Sequence, residues 1–122
     1  VLSVAHLAVI PYAALADALL ADPDQVRLAP VSRPGPLPFD HAAIVSAARK
    51  ELRRRYADRP DPDRLLGPRF TFLELRDVHE AIAGHTLQKD TFRRAMEPYL
   101  QGTGTTSAGT VGRPSQRFRR TR

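Results

Sequence analysis

Hydrophobic and polar positions along this chain change period several times, and each change marks an element. Residues 1–10 (VLSVAHLAVI) form a nearly unbroken apolar run, closed by Pro11. A run of this length reads as a buried β-strand, with a buried helix as the alternative that periodicity alone does not separate. A lone strand leaves both edges unpaired, so the reading requires partner strands from elsewhere. Ala13 to Ala21 predicts a short Ala/Leu helix, broken at Asp22-Pro23-Asp24. Gln25 to Pro38 carries four prolines and a glycine, which predicts an extended connection with one short strand at Val26 to Leu28.

From Asp40 the period becomes helical. Asp40 is a short acceptor in the N-cap position, and Ile44, Ala47, Ala48, Leu52 and Tyr56 recur every three or four residues as one apolar stripe. Arg49, Lys50, Arg53 and Arg54 fall opposite. Asp58 to Asp63, with Pro60 and Pro62, ends this helix and opens a linker that runs over residues 59–69.

The next segment has the strongest local signals. Thr71 and Glu74 make a T-x-x-E capping box, and Phe70 and Leu75 occupy the flanking staple positions. Leu75, Val78 and Ile82 form the expected buried stripe, and Gly84 supplies a left-handed C-cap. After Thr86-Leu87 a second helix runs to about Met96, with Phe92, Met96 and Tyr99 on its inner face. Pro98 disfavours helical geometry at Glu97 and stops it. Two helices joined by a glycine turn form a helix-turn-helix. Tyr99 to Gln101 and Gln116 to Arg119 are short strand candidates around a flexible loop, GTGTTSAGTVG, and Arg113-Pro114 follows. That is the outline of a wing.

Charge sharpens this picture. From Thr86 to Arg122 eight basic residues face only Asp90 and Glu97, which equals the +6 surplus of the whole chain. The first 85 residues balance, at eleven of each sign. A cationic end on a helix-turn-helix and wing marks a face for a polyanion, because phosphate neutralisation releases counterions. Double-stranded DNA is the expected partner. The second helix of such a pair enters the major groove. Gln88, Lys89, Thr91, Arg93 and Arg94 are therefore the candidate contacts on the helix, with Arg113 and Arg117 on the wing for phosphates or the minor groove. Asp90, Thr91 and Arg94 are expected to lie outward, with Gln88 and Lys89 on the helix sides. The end Arg119-Arg120-Thr121-Arg122 reads equally as a solubilising tail or a DNA contact. The Arg49 to Arg55 cluster, interrupted by Glu51, reads as a solvated helix face.

Other chemistry finds little support. Four histidines (His6, His41, His79, His85) lack metal-ligand spacing and have no cysteines beside them, so structural roles and no metal site are expected. Gly102-Thr103-Gly104 does not complete a phosphate-binding glycine loop, and none of Ser3, Ser32 and Ser46 sits on a nucleophile elbow. No catalytic residue is assigned. The absence of cysteine excludes disulfides and fits a reducing cytoplasm. The apolar run 1–10 is shorter than the roughly 20 residues a spanning helix needs, and it lacks a signal peptide's charged start. No membrane partner is expected. With no Met at its start, the chain is expected to begin inside a larger protein.

These residues also carry a family resemblance. The segment FTFLELRDVHEAIAGHTLQKDTFRRAMEPYLQGTG, closing with VGRPSQRFR, resembles the C-terminal winged-helix domain of Nudix-related transcriptional regulators. Phe70, Thr71, Glu74, Leu75, Val78, Glu80, Ala81, Ile82, Gly84, Leu87, Lys89, Phe92, Arg93, Arg94, Gly112, Arg113 and Pro114 fit that pattern in register. Leu37-Pro38-Phe39-Asp40-His41 resembles the start of the last Nudix-fold helix, and VLSVAHLAVIP resembles a central Nudix strand. Thr91 stands where the family commonly has Asn, and Asp90 where it often has a basic residue, so the resemblance implies a different DNA sequence read here. It implies an α+β chain: residues 1–58 as the C-terminal remnant of a Nudix-like (α/β/α) sensor with one buried strand and a helix, then the linker, then a winged helix-turn-helix over residues 70–122. It further implies a dimeric repressor in NAD-related cofactor metabolism that responds to ADP-ribose or a related nucleotide. That effector would bind mainly outside this chain, which itself holds no cofactor. The glutamate-rich Nudix motif is absent, so no hydrolysis through it is expected. The competing readings are a C-terminal fragment of a Nudix hydrolase acting on ADP-ribose-like nucleoside diphosphates, and a protein-interaction module built on a winged helix.

Overall fold

The computed structural model describes residues 4–107 and 113–121. The chain divides into two compact units, Val1–Glu51 and Leu52–Arg122.

The first unit contains helix α1 (Tyr12–Ala21) and most of helix α2 (His41–Arg55), which continues into the second unit. Helix α1 forms where the Ala/Leu run predicts it. Its N-cap is Pro11, which makes no side-chain cap, and none of its residues is buried. Helix α2 begins directly after Asp40, whose carbonyl accepts from the amides of Ala43 and Ile44. Its stripe is only half-buried at Ile44, Ala48 and Leu52, and Ala47 is exposed; burial becomes complete at Tyr56.

Two expectations for this unit are corrected. Residues 4–10 form no strand, and Val4, Leu7 and Ile10 are exposed. Val26 to Leu28 forms no strand either. The physical reason is shared. A strand is stable only when its backbone donors and acceptors are paired along an edge, and the described residues of this unit offer no second strand. His6 accordingly lies on an exposed irregular segment.

The second unit has the core. A three-stranded antiparallel sheet, in the order β1-β3-β2, is built from β1 (Phe70–Thr71), β2 (Leu100–Thr106) and β3 (Gln116–Arg120). Helix α3 (Phe72–Ala83) packs on it, and helix α4 (Lys89–Met96) packs against α3. Phe70, Leu75, Phe92, Met96 and Phe118 are the buried cluster, with Leu66, Phe72, Leu87 and Leu100 against it. The capping box is complete. Thr71 Oγ1 accepts from the Glu74 amide at 3.2 Å, and a Glu74 carboxylate oxygen accepts from the Thr71 amide at 2.8 Å. Gly84 closes α3 at φ 80°, the left-handed conformation that favours glycine, and its amide donates to the Glu80 carbonyl.

Three details differ from the pattern-based reading. The two-residue strand β1 was not expected: it pairs Phe70 with Phe118 and Thr71 with Arg117, so Thr71 is both a strand residue and a helix cap. Strand β2 runs through Thr106 into the glycine- and threonine-rich stretch read as loop, with an irregular register between Gly102 and Thr106 and Gly104 at φ 74°. Residues 108–112 of that stretch, including Gly112, lie outside the described residues. On α3, full burial falls on Leu75 and His79, whereas Val78 and Ile82 are half-buried. After α4 a single 3-10 turn, Glu97–Tyr99, carries Pro98 in its first positions, as the stop at that proline requires.

Residues 59–69, read as a linker, contribute to this unit's interior. Asp61 is fully buried at φ 42°. Its carboxylate accepts from the amides of Leu65 (2.9 Å) and Leu66 (2.8 Å), from the Tyr56 hydroxyl (3.3 Å) and from the Arg120 guanidinium. Its own amide donates to His79 Nε2 at 3.1 Å. A buried carboxylate is tolerable only when paired and hydrogen-bonded, and this one is both. Arg120 is thereby removed from the tail reading: it lies in β3, donates also to the Leu66 carbonyl and stacks over Phe70. Arg119 is in the same strand and donates twice to Gln101 Oε1. Thr121 donates its amide to the Tyr99 carbonyl, and Arg122 lies outside the described residues.

Candidate nucleic-acid interface

Helix α4 has Phe92 and Met96 buried, and a turn of about 100° per residue puts Arg94 on the opposite side. Arg94 is exposed, with Asp90 and Thr91 exposed to either side of it. Asp90 sits in the first turn, where a carboxylate complements the helix dipole. Gln88 is the N-cap: its Oε1 accepts from the Thr91 amide at 2.6 Å, which occupies the oxygen that a two-point contact to adenine would use.

Lys89 and Arg93, four residues apart, share the flank that faces the wing. They line a cleft of about 610 Å³ together with Arg113 from the wing and Arg76 from α3, and no acidic residue is among its lining. Phe72 and Phe118 form its aromatic floor, edge to face at 4.7 Å between centroids. The Arg93 guanidinium lies over the Phe72 ring at 4.6 Å, and its Nε is 3.8 Å from a Glu97 carboxylate oxygen. Arg93 is thus half-buried and held sideways, whereas Arg94 is free to point out. Arg113 is exposed at the start of the described part of the wing's second arm, and Arg117 is half-buried in β3, its carbonyl accepting from Thr103 Oγ1.

The structure therefore brings Lys89, Arg93 and Arg113 around one concavity. It puts Thr91 and Gln88 on the other flank, beside a second groove of about 440 Å³ lined by Tyr56, Ile82, Leu87 and Ala95. Arg76 was missed by sequence reasoning. It lies in the electrically neutral first 85 residues, so the charge count pointed away from it, and only its helical position in the first turns of α3 hinted at the same face.

Of the four histidines only His79 is buried. Burial lowers the pKa of His79 below its ordinary value of 6.5, against a weaker upward pull from a backbone hydrogen bond to Tyr56 and the Asp61 charge. The ring sits edge-on to Tyr56 and Phe92, at 5.0 and 5.1 Å between centroids. Burial, then the Asp61 charge, raises the pKa of Tyr56 well above the ordinary phenol value. Among the described residues no group of three or more His, Asp or Glu is arranged to hold a metal ion, and no helix is long and apolar enough to cross a membrane.

Comparison with known proteins bears on this arrangement. The model of the NrtR DNA-binding winged helix domain matches residues 63–119. Those residues are similar to the NrtR winged helix domain. The matched region starts within the stretch that contributes Leu65 and Leu66 to the fold and ends on β3. The ADPR responsive transcriptional repressor NtrR of Acinetobacter baylyi is 38% identical over 60 residues, covering 49% of this chain and 24% of that protein. The crystal structure of Shewanella oneidensis NrtR complexed with a 27mer DNA is similar with a TM-score of 0.63 at 29% identity, over 86% of this chain and 49% of that one. A second Shewanella oneidensis NrtR structure gives 0.56 at 30% identity, over 88% and 43%. This chain spans about a quarter of the curated relative and about half of the solved one.

Proposed function

We propose that the chain binds duplex DNA through the outward face of α4 and the wing, as the DNA-binding part of a transcriptional repressor. The observation that carries this is the NrtR-type winged helix with a cationic face: Arg94 outward on α4, and Lys89, Arg93 and Arg113 around the cleft beside it. In this reading Arg94 and Thr91 meet base edges or flanking phosphates, and Lys89, Arg93, Arg113 and Arg117 hold phosphates. Gln88 contributes through its amide nitrogen, since its oxygen caps the helix. Residues 1–58 would be the C-terminal part of a Nudix-like sensor, the effector ADP-ribose or a related nucleotide, and the working form a cytoplasmic homodimer serving NAD-related metabolism. The ADP-ribose response in the name of the Acinetobacter relative supports that effector class. The Acinetobacter relative is named a transcriptional repressor and the Shewanella protein is complexed with DNA, which favours this reading over a fragment of a Nudix hydrolase.

The test is binding to duplex DNA at two salt concentrations. Several phosphate contacts should give a steep fall in affinity with salt. A signal that ignores salt, or no binding, overturns the proposal. Arg94→Ala should weaken binding while leaving thermal stability unchanged, because the side chain is exposed; an equal loss of both would make Arg94 structural instead.

A further inference from the structure

The cleft between α3, α4 and the wing contains one cation that neither the charge pattern nor the helix-turn-helix reading assigns. Arg76 projects from α3 into the same concavity as Lys89, Arg93 and Arg113. Its Nε is buried and hydrogen-bonds to nothing among the described residues. The nearest carboxylate oxygen, Glu80 Oε1, is 3.6 Å away, beyond hydrogen-bond reach, and that oxygen already accepts from the Leu87 amide at 2.9 Å. The Nε thus faces Glu80 and is held there by charge, while the side chain as a whole is 26% exposed and borders a recess whose described lining has cations and aromatic rings but no acid. A guanidinium bordering such a cationic recess is shaped for an oxyanion.

We propose that Arg76 is a phosphate-holding residue of the DNA-binding face, completing with Lys89, Arg93 and Arg113 a seat for one backbone phosphate of duplex DNA. The inference rests on the DNA-binding reading above and extends it to a residue on the first helix of the pair. Glu80 acts as the positioning residue. Its carboxylate ties the turn between α3 and α4 to the Arg76 head group, so the phosphate seat and the set of α4 are built on the same side chain. A contact of this kind carries no base preference: it fixes register on the duplex and should weaken binding equally for all sequences when lost.

The experiment measures duplex affinity against salt for the wild-type chain, Arg76→Gln and Arg76→Lys, using one mixed-sequence duplex and one drawn from the protein's own promoter region. Arg76→Gln should weaken both complexes about tenfold at moderate salt and reduce the slope of log affinity against log salt by about one, as loss of a single phosphate contact requires. Arg76→Lys should restore most of the slope. Thermal unfolding of each variant accompanies the titration. An unchanged slope in Arg76→Gln overturns the inference, whether or not affinity or stability falls, because a packing role lowers both without changing the number of phosphates neutralised. If the wild-type chain itself shows no salt-dependent binding, the DNA-binding reading fails first, and the two failures are thereby told apart.

Discussion

Leu20 and Leu75 are the same residue in helices of similar length, yet Leu20 is 81% exposed and Leu75 is 0% exposed. The contrast extends to the units that contain them. Among the described residues of Val1–Glu51 none is buried, and Val4, Tyr12, Val31 and Phe39 join Leu20 on the surface. In Leu52–Arg122 five apolar side chains close into one core. Hydrophobic content does not explain the difference, since the first unit is rich in it. What separates them is patterning and punctuation. Helix α1 is apolar apart from Asp17 and has no side-chain cap, so no one stripe selects a partner. Helix α3 has a capping box, a staple, a glycine stop and one buried stripe, and each of these points to the same packing.

Four measurements would break or sharpen this comparison. The largest effect is expected from Asp61→Ala, which leaves the half-buried Arg120 charge unpaired and frees the Leu65 and Leu66 amides. A loss of about 3–5 kcal/mol is expected in chemical denaturation, the range for breaking a buried ion pair. A loss below about 1 kcal/mol would mean that this stretch is a true linker.

Next comes the leucine pair. Leu75→Ala should cost about 2–5 kcal/mol through cavity formation, whereas Leu20→Ala should stay within about 0.5 kcal/mol. Equal effects would erase the distinction between the two units. Thr71→Ala removes one half of the capping box and should cost about 1 kcal/mol; a cost near zero would mean that the β1 pairing alone holds the helix entry.

The last prediction concerns pH. The folded-state pKa of His79 is lowered from 6.5, chiefly by burial, and its Nε2 must stay unprotonated to accept from the Asp61 amide. The unfolded chain therefore binds the proton first as pH falls. Stability of the Leu52–Arg122 unit should be fully present above 6.5 and decline below it, through the lowered folded value. Urea midpoints measured across that window should show the decline, and His79→Gln should flatten it. A decline of the same steepness in His79→Gln would assign it to other groups.

Much of the helix pair was legible without coordinates because its signals act over three or four residues. Thr71, Glu74, Gly84, Phe92, Met96 and Pro98 each behave as their local chemistry requires. The strand expected at residues 1–10 illustrates the opposite case. Its composition is that of a strand, but a strand exists only through its neighbours, and the described part of that unit supplies none. The candidate face was legible in part. Charge segregation led to Lys89, Arg93, Arg94 and Arg113, while it left Arg120 between tail and DNA contact and gave no hint that Arg76 lines the same cleft.

The local grammar of the sequence determined the helix-turn-helix, its caps and its stop, because backbone donors near a helix end are answered by side chains a turn away. Only the tertiary structure decided that Asp61 joins Arg120 across 59 positions, and His79 across 18. It also decided that two residues at Phe70–Thr71 make a strand, and that Arg76 shares a cleft with the wing. Buried charge and unpaired backbone have to be satisfied by whatever the fold brings near, and that pairing over distance leaves no periodic trace in the chain.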